Sequence, residues 1–274
     1  MDIEPSNVIK IVKSGSQADA LLNHERRERV TNTSGCYYYM GKSLRGGLPS
    51  LKSVYWPKSN IYKQMKIGKA ANREPHSKGK KRKRSDLKKG KGKGGIIRGT
   101  HVHQQLKDFS VLDKKNFKKI HGELHPFSYR LMRAIVDQMK WQPFLSEFDI
   151  GDEDLGVGTS VDMIGLDIYG RLILLEFKTG YRGYFDAPDG KMRASMSALG
   201  NSAKNQACLQ LTLSSMILQK KYNVPLEAQR LYVMRVDDES MDIMPIQNEF
   251  VKKFGPLIYN DLFNATHDVN VPSS

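Results

Sequence analysis

Cysteine is scarce in this chain of 274 residues, and the two that occur, Cys36 and Cys208, lie far apart with no C-x-x-C. That excludes a disulfide scaffold and any four-cysteine zinc or iron-sulfur centre built within the chain. Long apolar runs are missing too: no stretch approaches the ~20 residues of a bilayer-spanning helix. The opening Met1-Asp2-Ile3-Glu4-Pro5 has neither the basic nor the apolar region of a secretion signal. The expectation is a protein without a membrane partner that stays inside the cell. No internal repeat is visible. Acid is in deficit, 29 Asp and Glu against 44 Lys and Arg, for a formal charge of +15. A surplus of that size favours a polyanionic partner, nucleic acid ahead of an anionic membrane.

What is present suffices for one good core. Hydrophobic residues make up 39% of the chain, well above the depleted composition of a wholly disordered one. The charge is unevenly spread. Between Lys78 and Arg98 stand eleven Lys or Arg and one acid, Asp86, together with five glycines. Such a segment cannot bury enough surface to offset its ordering entropy, so a disordered basic insertion is expected at about residues 77–98. Its basic cluster Lys80, Lys81, Arg82, Lys83 and Arg84 is expected to contact phosphates. The run Lys78 to Arg84 also has the composition of a nuclear-import signal, which points to an import receptor as partner and to the nucleus, otherwise the cytoplasm. Residues 1–47 lack sustained periodicity and read as a weakly ordered segment. Aromatics and cations interleave from Tyr37 to Trp56. There Tyr55 and Trp56 either stack on bases or cover the edge of a core.

Regular patterning begins at Gly99. His101 to Phe109 and Pro126 to Gln138 read as helices. Asn201 to Tyr222 reads as a long helix ended by Asn223-Val224-Pro225. Leu231 to Val236 and Met241 to Ile246 read as strands, and Phe250 to Phe263 as a closing helix broken or delayed by Gly255-Pro256. Between them, Ser160 to Asp167 and Arg171 to Thr179 bracket a turn and read as a hairpin. If Ile168, Tyr169 and Gly170 form a three-residue loop with Gly170 left-handed, Asp167 pairs with Arg171 and Asp162 lies opposite Glu176. Period-2 alternation then puts Asp162, Glu176 and Lys178 on one face, and Val161, Met163, Ile173, Leu175 and Phe177 on the other. Two facing carboxylates repel unless a cation sits between them. Hard oxygen donors suit Mg²⁺ or Mn²⁺. Lys178 in the same site can stabilise a developing phosphorane or hold the attacking water. A bare acid-x-lysine also makes an ordinary ion pair.

Asp162 followed by Glu176-x-Lys178-Thr179-Gly180 resembles the signature of the PD-(D/E)xK nuclease superfamily, and of its RecB-type exonuclease branch in particular. Gly99-Thr100-His101-Val102-His103 resembles the branch's G-T-x-x-H helix. Leu48-Pro49-Ser50 resembles the P-S segment before that helix in mitochondrial genome maintenance exonucleases. Gln206 and Gln210 fall where the branch carries its Q-x-x-x-Y helix, although Gln210 or Ser214 stands where tyrosine belongs.

The resemblance implies an α/β fold with a restriction-endonuclease-like core, a central mixed β-sheet flanked by helices, over residues 48–274. It implies metal-dependent hydrolysis of DNA, preferentially single-stranded or with a free end. His103, Asp162, Glu176 and the carbonyl of Phe177 would bind Mg²⁺ or Mn²⁺, Lys178 would position water, and Gln206 or Gln210 would orient Lys178 or a phosphate. A catalytically silent DNA-binding protein and a structure-specific endonuclease are the alternatives on the same fold.

Overall fold

Strands rich in Val, Ile, Leu and Met form the centre of the molecule, and helices with apolar faces cover them on both sides. The structure, a computed structural model, describes residues 31–33, 36–39, 42–56, 93–111, 119–180 and 182–267. Among these, the strands are β1 (Thr31–Thr33), β2 (Cys36–Tyr39), β3 (Lys42–Gly46), β4 (Gln142–Asp152), β5 (Val157–Leu166), β6 (Leu172–Thr179), β7 (Gln229–Val236) and β8 (Met241–Ile246). The helices are α1 (Gly47–Tyr55), α2 (Lys93–Val111), α3 (Pro126–Arg133), α4 (Arg182–Asp186), α5 (Ala203–Lys221) and α6 (Asn248–His267). One sheet runs in the order β1-β2-β3-β5-β6-β7-β8, with β4 paired to β5. Its pairs are mixed: β3 with β5 and β6 with β7 are parallel, and the rest are antiparallel. The fold is therefore α/β, a central mixed sheet between two helical layers.

Each layer has its own core. Leu172, Leu174, Leu231 and Val233 point to one face and pack with Leu209, Leu213 and Ile217 of α5 and with Val251, Ile258 and Leu262 of α6. Ile173, Leu175, Phe177 and Met234 point to the other and pack with Val102 and Leu106 of α2 and with Phe127, Leu131 and Met132 of α3. Each such side chain taken out of water contributes roughly 1.5–3 kcal/mol. The period-2 split of β6 between the layers is what the hairpin pattern predicts. Val161 departs from it: it packs with Leu172 and Leu174, whereas Met163 packs with Leu175. The strict alternation along β5 fails near Asp162, where the neighbouring strand β4 carries Glu147 in a left-handed conformation, φ 50°.

Several expectations need correction. Within the segment read as a weakly ordered lead-in, Thr31–Thr33, Cys36–Tyr39 and Lys42–Gly46 are strands, and Arg45 and Gly46 of β3 pair with Val157 and Gly158 of β5. The basic insertion is cut short at its C-terminal end, since α2 is already helical from Lys93. Lys80, Lys81, Arg82, Lys83 and Arg84 lie outside the described residues. Strand β4 has no counterpart in the sequence pattern. Helix α6 runs unbroken through Gly255-Pro256. Its buried residues before and after the proline, Phe254 and Ile258, hold it to the core, and Gly255 gives way to Met216, whose sulfur a Cβ there would meet at 2.6 Å. Tyr55 and Trp56 are 1% and 4% exposed in the core beneath α6, so neither is a platform for bases. The Tyr55 hydroxyl donates to Asp261 at 3.1 Å.

Candidate active site

The hairpin of β5 and β6 turns as its sequence dictates. Asp167 N–H donates to the Arg171 carbonyl, Gly170 has φ 72°, and the ladder runs Leu166↔Leu172, Gly165↔Ile173, Ile164↔Leu174, Met163↔Leu175. Hydrogen-bonded pairs alternate in an antiparallel ladder, so after Met163 with Leu175 the next would be Val161 with Phe177. That pair does not form. The Phe177 N–H donates instead to Asp162 Oδ2 at 2.7 Å. The reason lies in the topology: β4 occupies one side of β5, while β3 and β6 divide the other, β3 at Val157–Gly158 and β6 from Met163 onward. Between them the strands part, and the opening is where Asp162 turns its carboxylate.

Three further elements converge there. Helix α2 approaches β6 closely because Gly99 has no side chain; a Cβ at 99 would lie 3.0 Å from Thr179 Oγ1. One turn on, His103 meets the Phe177 ring edge to face, with centroids 6.1 Å apart. Its Nδ1 stands 3.6 Å from Asp162 Oδ1 and 3.7 Å from Glu147 Oε1. His101 faces elsewhere, with its ring near His121 and His125. Glu176 is 2% exposed; its Oε1 accepts from Lys178 Nζ, and its Oε2 is buried without a hydrogen-bond partner. A cavity of about 260 Å³ opens beside His103 and Lys178, lined also by Phe177, Gln206, Gln210 and Arg235. A water occupies ~30 Å³ in the liquid, so a hydrated ion and a phosphate group fit.

The electrostatics are those of crowded like charges. Burial, then the Glu176 charge, pushes the Asp162 carboxyl up to about 7, against the pull of His103 and Lys178. Burial disfavours the His103 imidazolium, but the adjacent Glu147 and Asp162 carboxylates overcome that and the Lys178 charge, and raise it to about 9. Asp162, Glu176, Lys178, His103 and Phe177, singled out in the sequence, are thus brought together. Gln206 and Gln210 line the same cavity from α5. Gln206 Nε2 donates to Asn201 Oδ1 at 2.9 Å, and Gln210 Oε1 is buried without a partner.

Glu147 is not singled out by the sequence pattern. With His103 and Asp162 it offers three donor atoms within 4.8 Å of one another, a group able to hold a metal ion. The available signal is an acid embedded in the apolar stretch Phe144-Leu145-Ser146-Glu147-Phe148, in a segment to which the pattern assigns no element. The donors are carboxylate oxygens and one imidazole nitrogen, with no thiolate. That set suits a hard or borderline divalent cation, and the unpartnered Glu176 Oε2 is the kind of buried atom that an ion satisfies.

No family model matches the chain, and no curated protein matches it. Among solved structures it is similar to the crystal structure of SSO0001, at 11% sequence identity and a TM-score of 0.34 over 93% of this chain and 85% of that one. A likeness this loose transfers no residue role.

Proposed function

We propose that the protein is a divalent-metal-dependent deoxyribonuclease of the PD-(D/E)xK kind, an exonuclease acting on DNA ends with a preference for single strands. The observation that carries this reading is the buried Glu176, with one oxygen on Lys178 and the other unpartnered, where Lys178 and His103 line a cavity and His103 Nδ1 stands 3.6 Å from Asp162 Oδ1. Asp162, Glu176, His103 and the Phe177 carbonyl would hold Mg²⁺ or Mn²⁺. When bound, such an ion acidifies water and offsets charge on the phosphate. Lys178 orients the attacking water and balances the negative charge that develops on phosphorus-bound oxygen. The Phe177 N–H keeps the Asp162 carboxylate turned into the opening. Gln206 or Gln210 aligns Lys178 or the phosphate from the far wall.

The surplus positive charge supports DNA as the substrate. The cluster from Lys80 to Arg84 supplies phosphate contacts and a nuclear-import signal in this reading. If it binds DNA, removing residues 78–92 flattens the dependence of binding on salt, by a log-log slope of about 0.7 for each single-strand phosphate that is no longer neutralised. The deciding experiment incubates the pure protein with linear and covalently closed single-stranded DNA of one sequence, with and without Mn²⁺. Loss of the linear form alone, only with Mn²⁺, is the expected result. Equal loss of the circle makes the protein an endonuclease, and persistence of both makes it a silent DNA-binding protein.

A further inference from the structure

We infer that the outward face of α3, together with Arg98 of α2 and His125, is a phosphate-binding surface that holds the backbone of single-stranded DNA beside the cavity. The inference takes the identity of the ligand from the nuclease reading above, but the contact itself needs no metal. Three observations carry it.

The first is what α3 shows on its two faces. Phe127, Ser128, Leu131 and Met132 are buried, and the stripe on the other side, Pro126, Tyr129, Arg130 and Arg133, follows the i, i+3, i+4, i+7 spacing of one helix face. Its first turn holds no acid. Tyr129 is 42% exposed, with the Arg133 guanidinium 6.0 Å from its ring. Arg133 meets Asp137 at 3.3 Å, an exposed pair that is worth little in water. Cations beside an open aromatic ring suit phosphates and the unpaired bases between them.

The second is charge that the protein leaves uncompensated. Arg98 lies 4.9 Å from the centre of the buried Phe127 ring and Arg130 lies 5.2 Å from it, so one ring gathers two guanidinium groups. Arg98 meets Asp238 at 3.7 Å, too far for a hydrogen bond, and its Nε is buried without a partner. His125 stands edge-on to the same ring, with centroids 4.9 Å apart. Its Nδ1 accepts from Phe127 N–H at 3.1 Å, which leaves the ring proton on Nε2 as a donor. Burial, then His101 and Arg98, hold the His125 ring below its ordinary pKa, against the pull of Asp238. Cations crowded in this way favour an anion among them.

The third is position. The buried Gln105 accepts from His125 N–H at 2.8 Å and donates to the Glu123 carbonyl at 3.2 Å, which fixes the segment before α3. Arg130 donates to the Asp237 carbonyl at 2.5 Å, and Asp237 accepts from Arg235, which lines the cavity. Arg98 precedes Gly99, where a Cβ would lie 3.0 Å from Oγ1 of Thr179, another lining residue. The surface therefore borders the cavity across the end of β6 and the β7–β8 turn.

The test follows a fluorescent oligothymidylate binding to the full chain by anisotropy, in chelator and over a range of salt. Arg98→Gln is expected to lower the log-log salt slope by about 0.7, the share of one single-strand phosphate. Lys252→Gln, the same loss of charge on α6, is expected to leave the slope unchanged. Arg98→Lys separates charge from packing on Phe127 and is expected to keep the slope. His125→Asn retains a helix-capping side chain without the Nε2 donor, so affinity is expected to fall about tenfold at an unchanged melting temperature. An unchanged slope in Arg98→Gln, an equal fall in Lys252→Gln or Arg98→Lys, or an unchanged affinity in His125→Asn overturns the surface. Cleavage is a separate readout. A protein that digests linear DNA with Mn²⁺ but keeps its slope in Arg98→Gln loses this surface and keeps the nuclease reading. One that never cleaves but loses slope in Arg98→Gln keeps the surface as a silent DNA-binding protein.

Discussion

Two buried charged clusters sit side by side at the ends of parallel neighbours, Arg235 on β7 and Glu176 on β6, and they are built on opposite principles. Arg235, fully buried, donates to Asp242 at 2.8 Å, to Asp237 at 2.5 Å, to Ser240 Oγ at 2.6 Å and to the Gly180 carbonyl at 2.9 Å. Asp237 in turn accepts from the N–H groups of Glu239 and Ser240. The cluster is closed: it ties the β7–β8 turn to the end of β6. Burial alone would raise the Asp237 carboxyl, but those N–H groups and Arg235 hold it down at about 2. At Glu176 the same strand end carries an unpartnered oxygen, and Asp162 beside it is raised to about 7. Arg235 and Lys178 both line the cavity, so what separates the clusters is satisfaction: buried charge that satisfies itself is structure, and buried charge left unsatisfied marks a candidate functional site.

The contrast is broken most forcefully at Arg235. Arg235→Met strands two carboxylates and should cost about 3–5 kcal/mol of stability, read as a fall in the urea midpoint at constant slope. A loss well below 1 kcal/mol would show that the cluster is not structural. Asp162→Asn should do the reverse. Cleavage should fall by more than about 100-fold, beyond the effect of residues that merely support a metal site. The fold should survive, because the amide oxygen still accepts from Phe177 N–H. Retained cleavage with Mn²⁺ refutes the assignment of Asp162.

The two clusters also carry opposite pH signatures. A folded Asp237 at about 2, against an ordinary 3.8, contributes stability present above pH 4 and lost as pH falls from about 4 through 2. A folded Asp162 at about 7 makes the folded state bind the extra proton, so metal-free stability falls as pH rises from about 4 to 7. Thermal melts of wild type and Asp162→Asn in chelator should therefore coincide near pH 4 and separate by pH 8, with the variant melting higher. Wild-type affinity for Mn²⁺ should rise between pH 6 and 9 as Asp162 and His103 lose their protons, and binding near pH 7.5 should release protons measurable by calorimetry in buffers of different ionisation enthalpy.

The smallest effect is expected at Gly99. Alanine gains up to about 1 kcal/mol of helix propensity but sets a methyl 3.0 Å from Thr179 Oγ1. Stability should change by less than about 1 kcal/mol, while the displacement of α2 pulls His103 from Asp162 and lowers kcat. An unaltered kcat would mean that the approach of α2 to β6 does not set the His103 position.

Local chemistry made much of this protein legible before folding. Gly170 closes a three-residue loop because it tolerates φ 72°, and the loop length then fixes which residues of β5 and β6 face each other. From that register alone Glu176 and Lys178 share a face and Asp162 comes to their end of the hairpin. The spacing of Gly99 and His103 on a helix is equally local. What sequence could not carry is what depends on neighbours distant in the chain. Aromatic residues beside cations suit base stacking or a core edge alike, and only the packing of α1 beneath α6 buries Tyr55 and Trp56. A proline that stops an isolated helix is overridden when residues on both sides of it are buried, as in α6. The site itself opens because β3 and β6 share one side of β5 and leave a gap, and because β4 bends at Glu147 to reach it. Period and propensity describe a strand taken singly, whereas a gap and a bend arise only when strands compete for the same edge.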